Sequence, residues 1–367
     1  MESPKSPGAD GDVGDVVILH EWDGKPYYQA LDALVREMTG KPPLYRELWF
    51  IRQMAVGLVR RNPELIRKSF RNAVFFLRSL FLRDATIILG MAPFDPSMVF
   101  WGRLRKANRV IYHTSWVAWE GEDVPKRSWV LRGFVKECWR SFIEDPRVRV
   151  VSILKESRIS MLRRYRKDER AFTAIPHALD LAVFRPPAAP LPKSEKLRVI
   201  YLGRLNARKG IDVVAELIEK ADPARFHFAV AGDGPEWSRL ESLKERFEYH
   251  GLVKGKGAVA RLLGGFDVLV LPSHFEPFGI AFIEAMACGV VCIASDSLFP
   301  KDLIVDGENG FVVQRTCEAF LGALESLHRD RDRLGAFRAR GLERVREFDL
   351  KAIGGRWESL LAASRSN

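Results

Sequence analysis

The chain has 367 residues, 47% of them hydrophobic and 29% charged. That balance belongs to a globular protein, and the length suits two domains rather than one. A formal charge of +11 and a pI near 9.6 exclude an acidic, solvating chain and point to an anionic partner: phosphate groups, nucleic acid or an acidic membrane surface.

Residues 1–14 are polar, carry Pro, Gly, Ser and Asp, and read as a disordered tail. They hold no apolar stretch of the kind a signal peptide needs. No apolar run reaches the roughly 18–20 residues of a membrane-spanning helix. Cys138, Cys288, Cys292 and Cys317 form no Cys-x-x-Cys pair, which argues against a metal or disulfide framework and for a reducing cytoplasm. Cys288 and Cys292 read as small buried hydrophobes.

Short strands are predicted at 16–20, 86–91, 109–112, 148–153 and 172–175, with helical stretches between them. Such alternation argues for a parallel sheet with crossover helices, here a first domain over residues 15–190. Residues 44–83 stand apart. They carry Arg46, Arg52, Arg60, Arg61, Arg67, Lys68, Arg71, Arg78 and Arg83 against Glu47 and Glu64 alone. Ile66, Phe70, Ala73, Leu77 and Phe81 recur at helical spacing, and Asn62-Pro63 is a plausible helix start. A basic amphipathic helix with aromatics predicts binding to an anionic membrane surface; the alternative is that its apolar face packs on the first domain's sheet. Leu48-Trp49-Phe50-Ile51 and Val74-Phe75-Phe76 exceed a single stripe and favour the membrane. Charge alone also suggests nucleic acid, but no reader motif is present, so no specific nucleic-acid partner is expected.

Four prolines between Arg185 and Pro192 read as a stiff extended linker. A second domain, 191–346, repeats the grammar. It has strands at 197–202, 226–231, 268–271 and 290–294 and helices at 212–220, 237–247 and from residue 280. Residues 347–367 read as a separate helix returning to the first domain.

The strand-end loops of the second half carry the chemistry. Gly203-Arg204-Leu205-Asn206-Ala207-Arg208-Lys209-Gly210 offers Arg204 as a fork and Lys209 as a point charge to a diphosphate. Gly232-Asp233-Gly234-Pro235-Glu236 is a turn whose glycines let backbone approach a ligand. His274 to Glu284 leads from a strand into a helix whose first N–H groups suit an anion, with Glu276 and Glu284 bracketing the spot. Asp306 to Val313 is a turn into a short strand. Phosphate donors flanked by hydroxyl acceptors fit an activated sugar. In the first half, His113 ends a strand and is followed by Thr114-Ser115-Trp116. His20 ends another, and Trp116 and Trp119 either line an acceptor site, since sugars stack on aromatic faces, or pack in the core.

In that order, GRLNARKG, GDGPE, HFEPFGIAFIEAMACG and DGENGFVV closely resemble the retaining glycosyltransferases of family 4, over about residues 201–313. The first half resembles the family more loosely, at Ile175-Pro176-His177-Ala178-Leu179-Asp180 and Val151-Ser152. The resemblance implies the α/β GT-B fold: two Rossmann-like domains facing each other across a cleft, with a C-terminal helix crossing back. By the same resemblance Arg204 and Lys209 hold the donor diphosphate and Glu276 meets the donor sugar. Gly203, Gly232 and Gly234 line the donor site, and Phe278, Gly279 and Ile280 offer backbone N–H groups. Glu284 accepts from the ribose, and His113 faces the reacting sugar from the other domain. A nucleotide-diphosphate sugar is the implied donor, a lipid-linked or glycan acceptor the partner, and the cytoplasmic face of the inner membrane the place. No metal or other cofactor is implied. Three departures stand out: a single glycine in Glu21-Trp22-Asp23-Gly24-Lys25-Pro26, His177-Ala178 where Asn-Gly is usual, and Leu298-Phe299 with Asp302 where a Gly pair and Glu are common. A nucleotide-sugar epimerase or hydrolase, or a non-catalytic binding protein, are the competing classes.

Overall fold

The structure, a computed structural model, describes residues 16–20, 28–47, 50–79, 81, 83–90, 108–115, 132–189, 192, 194–276, 278–296 and 303–363. The tail 1–14, the loop 21–26, Trp116, Trp119, Leu298-Phe299 and Asp302 lie outside these residues. The chain forms two compact units, residues 1–178 with 350–367 and residues 179–349. The division therefore precedes the proline segment, which belongs to the second unit rather than separating the two. The first domain ends near residue 178, not 190, and the second runs on to 349.

The first unit contains β1 (Val16–His20), α1 (Gln29–Thr39), β2 (Leu44–Glu47), α2 (Phe50–Val59), α3 (Pro63–Ser79), β3 (Thr86–Gly90) and β4 (Arg109–Thr114). Then follow α4 (Arg132–Ile143), β5 (Val148–Ser152), α5 (Lys155–Arg164) and β6 (Phe172–Ala174). The strands form one parallel sheet in the order β2-β1-β3-β4-β5-β6. Side chains alternate across it, as the two-residue period demands. Val17, Leu19, Ile87, Leu89, Val110 and Tyr112 pack with Trp139, Phe142 and Ile143 of α4. Val16, Ile18, Ile88 and Ile111 pack with Leu31 and Val35 of α1, and with Ile353, Trp357, Leu360 and Leu361 of the C-terminal helix Leu350–Ala363. Both faces are covered, which is why these strands read as unbroken apolar runs.

The basic segment comprises β2 and a hairpin of α2 and α3, and α3 begins at Pro63 as expected. Asn62 caps α3 by accepting from the Leu65 N–H at 3.0 Å. A Cβ on Gly57 would lie 2.9 Å from Ile66 Cγ1, so α2 and α3 cross closely there. The buried positions of α3 include Ser69 and Asn72, and Phe75 packs against the first core. Phe70, Leu77 and the following Phe81 are 65%, 60% and 83% exposed, the reverse of a helix whose apolar face is spent on its own sheet.

The second unit contains β7 (Leu197–Leu202), α6 (Ile211–Lys220), β8 (Phe226–Ala231), α7 (Ser238–Glu241), β9 (Phe247–Gly251) and α8 (Lys256–Leu263). It continues with β10 (Val268–Leu271), α9 (Ile280–Ala287), β11 (Val291–Ser295), β12 (Gly310–Val313), α10 (Cys317–Arg329) and α11 (Arg331–Arg344). The expected helix 237–247 is instead the short α7, a 3-10 turn at Lys244–Arg246 and the start of β9. Leu240, Leu243 and Phe247 imitate helical spacing, but Phe247 pairs with Phe228 of β8. The sheet order is β12-β11-β10-β7-β8-β9, all parallel. The chain builds outward from β7 through β9, then returns to β7's other side with β10. The strand order thus reverses between β7 and β10, and ligands bind open α/β sheets beyond the carboxyl ends at such a reversal.

Candidate functional site

The loops after β7, β8 and β10 meet at that edge of the second unit. After β7, Gly203 donates its N–H to Ala231 O at 3.0 Å and Leu205 to Asp233 O at 3.0 Å. The Tyr201 hydroxyl, buried beneath, donates to Arg204 O at 2.9 Å. A 3-10 turn at Ala207–Lys209 follows, capped by the Asn206 side chain, which accepts from the Lys209 N–H at 3.0 Å. Gly210 then takes a left-handed conformation, φ 75°, and a Cβ there would lie 1.9 Å from Pro272 O. Only glycine lets this turn sit directly against the end of β10.

Gly232 and Gly234 read in the sequence as admitting a ligand, but the close approach is to the neighbouring loop. A Cβ on Gly232 would lie 1.8 Å from Gly203 O, and one on Gly234 2.2 Å from Leu205 O. The two glycines therefore hold the β7 and β8 loops together, and Gly203 lines the same junction.

The loop after β10 brings the acid. His274 donates its N–H to Arg208 O at 2.9 Å, joining this loop to the 3-10 turn. Glu276 is 8% exposed and ion-paired with Lys209 through Oε2. Its Oε1 accepts from the Gly279 N–H at 3.2 Å, immediately ahead of α9, and the Ser273 hydroxyl lies 3.4 Å from Oε2. The groups expected to serve diphosphate and sugar thus satisfy each other. Such a buried pair gains little net energy, because desolvation offsets attraction, but losing one partner strands the other. The pair holds both groups in place.

Arg204 is exposed and has no ion pair among the described residues. Phe278 is buried edge-on to Phe348, with ring centroids 6.3 Å apart, and Ile280 is exposed at the start of α9. Glu284, one turn further along α9, is half-buried. Burial pushes its carboxyl up to about 7, against the opposing pull of Lys256. A raised carboxyl pKa stabilises the fold fully below the unfolded value, and that contribution is lost as pH rises through about 7. Thermal midpoints measured from pH 5 to 8 are expected to fall more for the native protein than for Glu284→Gln. The difference is roughly 1–3 kcal/mol, reduced from the full shift because the side chain keeps contact with water. Parallel profiles for the two proteins would refute this.

Lys209 and Gly279 each contact Glu276, Gly203, Gly232 and Gly234 close up the adjoining loops, and Arg204 stands on the first loop. His113 lies in the first unit, buried at the end of β4, with its Nδ1 3.0 Å from the Tyr28 hydroxyl. Burial, then the nearby imidazoles of His177 and His20, push the pKa of His113 well below the usual histidine value, so the ring is neutral. Sequence reasoning passed over Tyr201, Asn206, Ser273 and Tyr28, which fix these groups. Asn206 carried a signal, a capping residue three positions before Lys209; the other three carried none.

Residues 187–344 match the family described as Glycosyl transferases group 1. Among curated proteins, a GDP-mannose-dependent alpha-mannosyltransferase of Corynebacterium glutamicum is 33% identical over 122 residues, 33% of this chain and 29% of its own length. The GDP-mannose-dependent alpha-(1-6)-phosphatidylinositol dimannoside mannosyltransferase of Mycobacterium tuberculosis is 29% identical over 138 residues, 36% of this chain and 35% of its own length. The chain thus spans about a third of the length of these relatives. Among solved structures, Anabaena HepE in complex with UDP superimposes with a TM-score of 0.71 at 15% identity, over 95% of this chain and 100% of HepE. That likeness shows a shared fold across both units, α/β with two parallel-sheet Rossmann-like domains of the GT-B kind. The stretch that matches the group 1 glycosyltransferases, 187–344, contains all four ordered motifs.

Proposed function

We propose that the protein is a retaining glycosyltransferase that moves a sugar from a nucleotide-diphosphate donor to a lipid-linked or glycan acceptor. The observation that carries the proposal is the Lys209–Glu276 pair at the strand-order reversal of a group 1 domain. On donor binding, the lysine turns to the diphosphate with Arg204, and Glu276 turns to the sugar hydroxyls. Glu284 accepts from the ribose. The anomeric C–O bond to phosphate breaks as the acceptor oxygen bonds to the same carbon from the leaving-group face, and the acceptor proton departs with the diphosphate. Lys209, Arg204 and the start of α9 stabilise the charge that develops on the leaving group. His113 serves as a neutral hydrogen-bond donor to the reacting sugar. Names of relatives support this donor class: HepE was solved with UDP, and the Corynebacterium protein is named for GDP-mannose.

The test is release of nucleoside diphosphate from a panel of sugar donors, with and without acceptor extracts, by the native chain and by Glu276→Ala, Arg204→Ala and Lys209→Ala. Acceptor-dependent release that collapses in the variants supports the proposal. Full turnover in all three refutes the residue roles, and release without any acceptor points to a hydrolase. The two cations are proposed to neutralise the leaving group without a metal, so turnover is expected to survive exhaustive treatment with EDTA. Loss restored by a divalent cation would overturn that part.

The acceptor is proposed to lie at the cytoplasmic membrane face, reached through the α2–α3 hairpin. Exposed Phe70, Leu77 and Phe81 are flanked on α3 by exposed Arg67, Arg71 and Arg78. Burying two such aromatic or aliphatic side chains in lipid is worth roughly 3–6 kcal/mol. Flotation with anionic liposomes is therefore expected for the native chain and is expected to fall at least tenfold in Phe70→Ser/Leu77→Ser. Equal flotation of both would exclude this face. No helix of the described residues is long and apolar enough to cross a membrane.

A further inference from the structure

The first unit has its own reversal of strand order, between β1 and β3, and the carboxyl ends of β1, β3 and β4 lie side by side there. His20 ends β1, Gly90 ends β3 and His113 is the penultimate residue of β4. Gly90 makes the room: a Cβ on it would lie 2.3 Å from the His20 ring and 2.6 Å from the Tyr28 hydroxyl. Tyr28 is fully buried, and its ring lies 4.9 Å from that of His113. The His113 ring is also 6.5 Å from His177 and 5.8 Å from Trp357. Among the described residues, the 3.0 Å contact between the Tyr28 hydroxyl and His113 Nδ1 is the one hydrogen bond of either side chain.

That contact has two possible polarities. If Nδ1–H donated to the phenol oxygen, the Tyr28 proton would be buried without an acceptor, at a cost large enough to decide the direction. If Tyr28 donates, its proton and the Nδ1 lone pair satisfy each other, and the N–H left over is at Nε2, which is not among the buried side-chain atoms of the described residues that lack a partner. The imidazole proton then resides on Nε2. We propose that Tyr28 is a positioning residue that donates to Nδ1 of His113, fixing the Nε2–H tautomer and presenting that N–H as a neutral donor to a ligand oxygen. Burial pushes the Tyr28 pKa up, so the phenol keeps its proton, and burial keeps the imidazole uncharged. What the donor serves rests on the transferase reading; the tautomer itself does not.

The experiment uses the full chain labelled with 15N-histidine and two-bond 1H–15N correlation, with the His113 signals assigned by their absence in His113→Gln. The native protein is expected to show His113 as the Nε2–H tautomer. Tyr28→Phe is expected to give a mixture of tautomers and to lower kcat roughly 2- to 10-fold, the equivalent of one ordinary hydrogen bond, with KM for the donor unchanged. A merely structural tyrosine would leave the tautomer as it was. A proton on Nδ1 in the native protein overturns the proposal whether or not the variant folds. An unaltered His113 spectrum, or an unaltered kcat, in a folded Tyr28→Phe overturns it as well. The expected spectra in a protein that transfers no sugar would leave the role of Tyr28 standing and remove the transferase reading instead.

Discussion

Lys209→Ala is expected to lower kcat/KM for the nucleotide-sugar donor roughly 100- to 1000-fold, the loss typical of removing one preorganised group that stabilises a developing anion. The effect should fall mainly on kcat, because the charge on the leaving diphosphate grows as the bond breaks. The same substitution should also destabilise the protein, since among the described residues it leaves the buried Glu276 carboxylate with only the Gly279 N–H and a long contact to the Ser273 hydroxyl. A stranded buried acceptor costs roughly 1–3 kcal/mol, more if it stays charged. Glu276→Ala leaves behind a lysine whose side chain is 28% exposed and can reach water, so it should destabilise less while harming catalysis comparably. Initial rates and urea midpoints of the two variants check this asymmetry. Equal destabilisation would mean that the pair does not hold the loops together.

Gly210→Ala is expected to lower the stability of the second unit by roughly 2–5 kcal/mol. The estimate adds the strain of a left-handed alanine to the collision of its Cβ with backbone. The collision is with Pro272 O, at 1.9 Å, and no side-chain rotation relieves it. For a unit of this size the thermal midpoint should fall by roughly 5–15 °C. Gly251→Ala is the control. Its φ is 61° with nothing within 4 Å of the added Cβ, so it carries backbone strain alone, roughly 1–2 kcal/mol. Moving the β7 loop away from β10 would separate Lys209 from Glu276, so donor turnover should fall in Gly210→Ala and persist in Gly251→Ala. Matching midpoints for the two variants would show that the close approach is not required.

The sheets were legible because strands buried on both faces, such as Ile87-Ile88-Leu89 and Val268 to Leu271, spell continuous apolar runs that no exposed element would tolerate. β9 was not. Its Phe-Glu-Tyr-His-Gly sequence belongs to an edge strand whose residues after the buried Phe247 are half-buried or exposed, and the leucines before it fall at helical spacing. The basic segment showed its amphipathic pattern but not which face would be turned outward. That depends on Ser69 and Asn72 being accepted inside, a tertiary outcome without a local signature. Arg204, Lys209, Glu276 and Glu284 stood out because their motifs are local. The partnership of Lys209 with Glu276 did not, since 67 positions separate the two and only the pairing of β7 with β10 brings them together. Tyr28 was invisible for the same reason: its contact with His113 spans 85 positions and depends on an absent side chain at Gly90.

A crystal structure of the full chain with a nucleoside diphosphate bound is the decisive measurement. The diphosphate is predicted to lie beyond the ends of β7 and β10, with Lys209 released from Glu276 and, together with Arg204, on phosphate oxygens, and with Glu284 on the ribose. A nucleotide bound at any other edge, or phosphates held while Lys209 remains on Glu276, would contradict it.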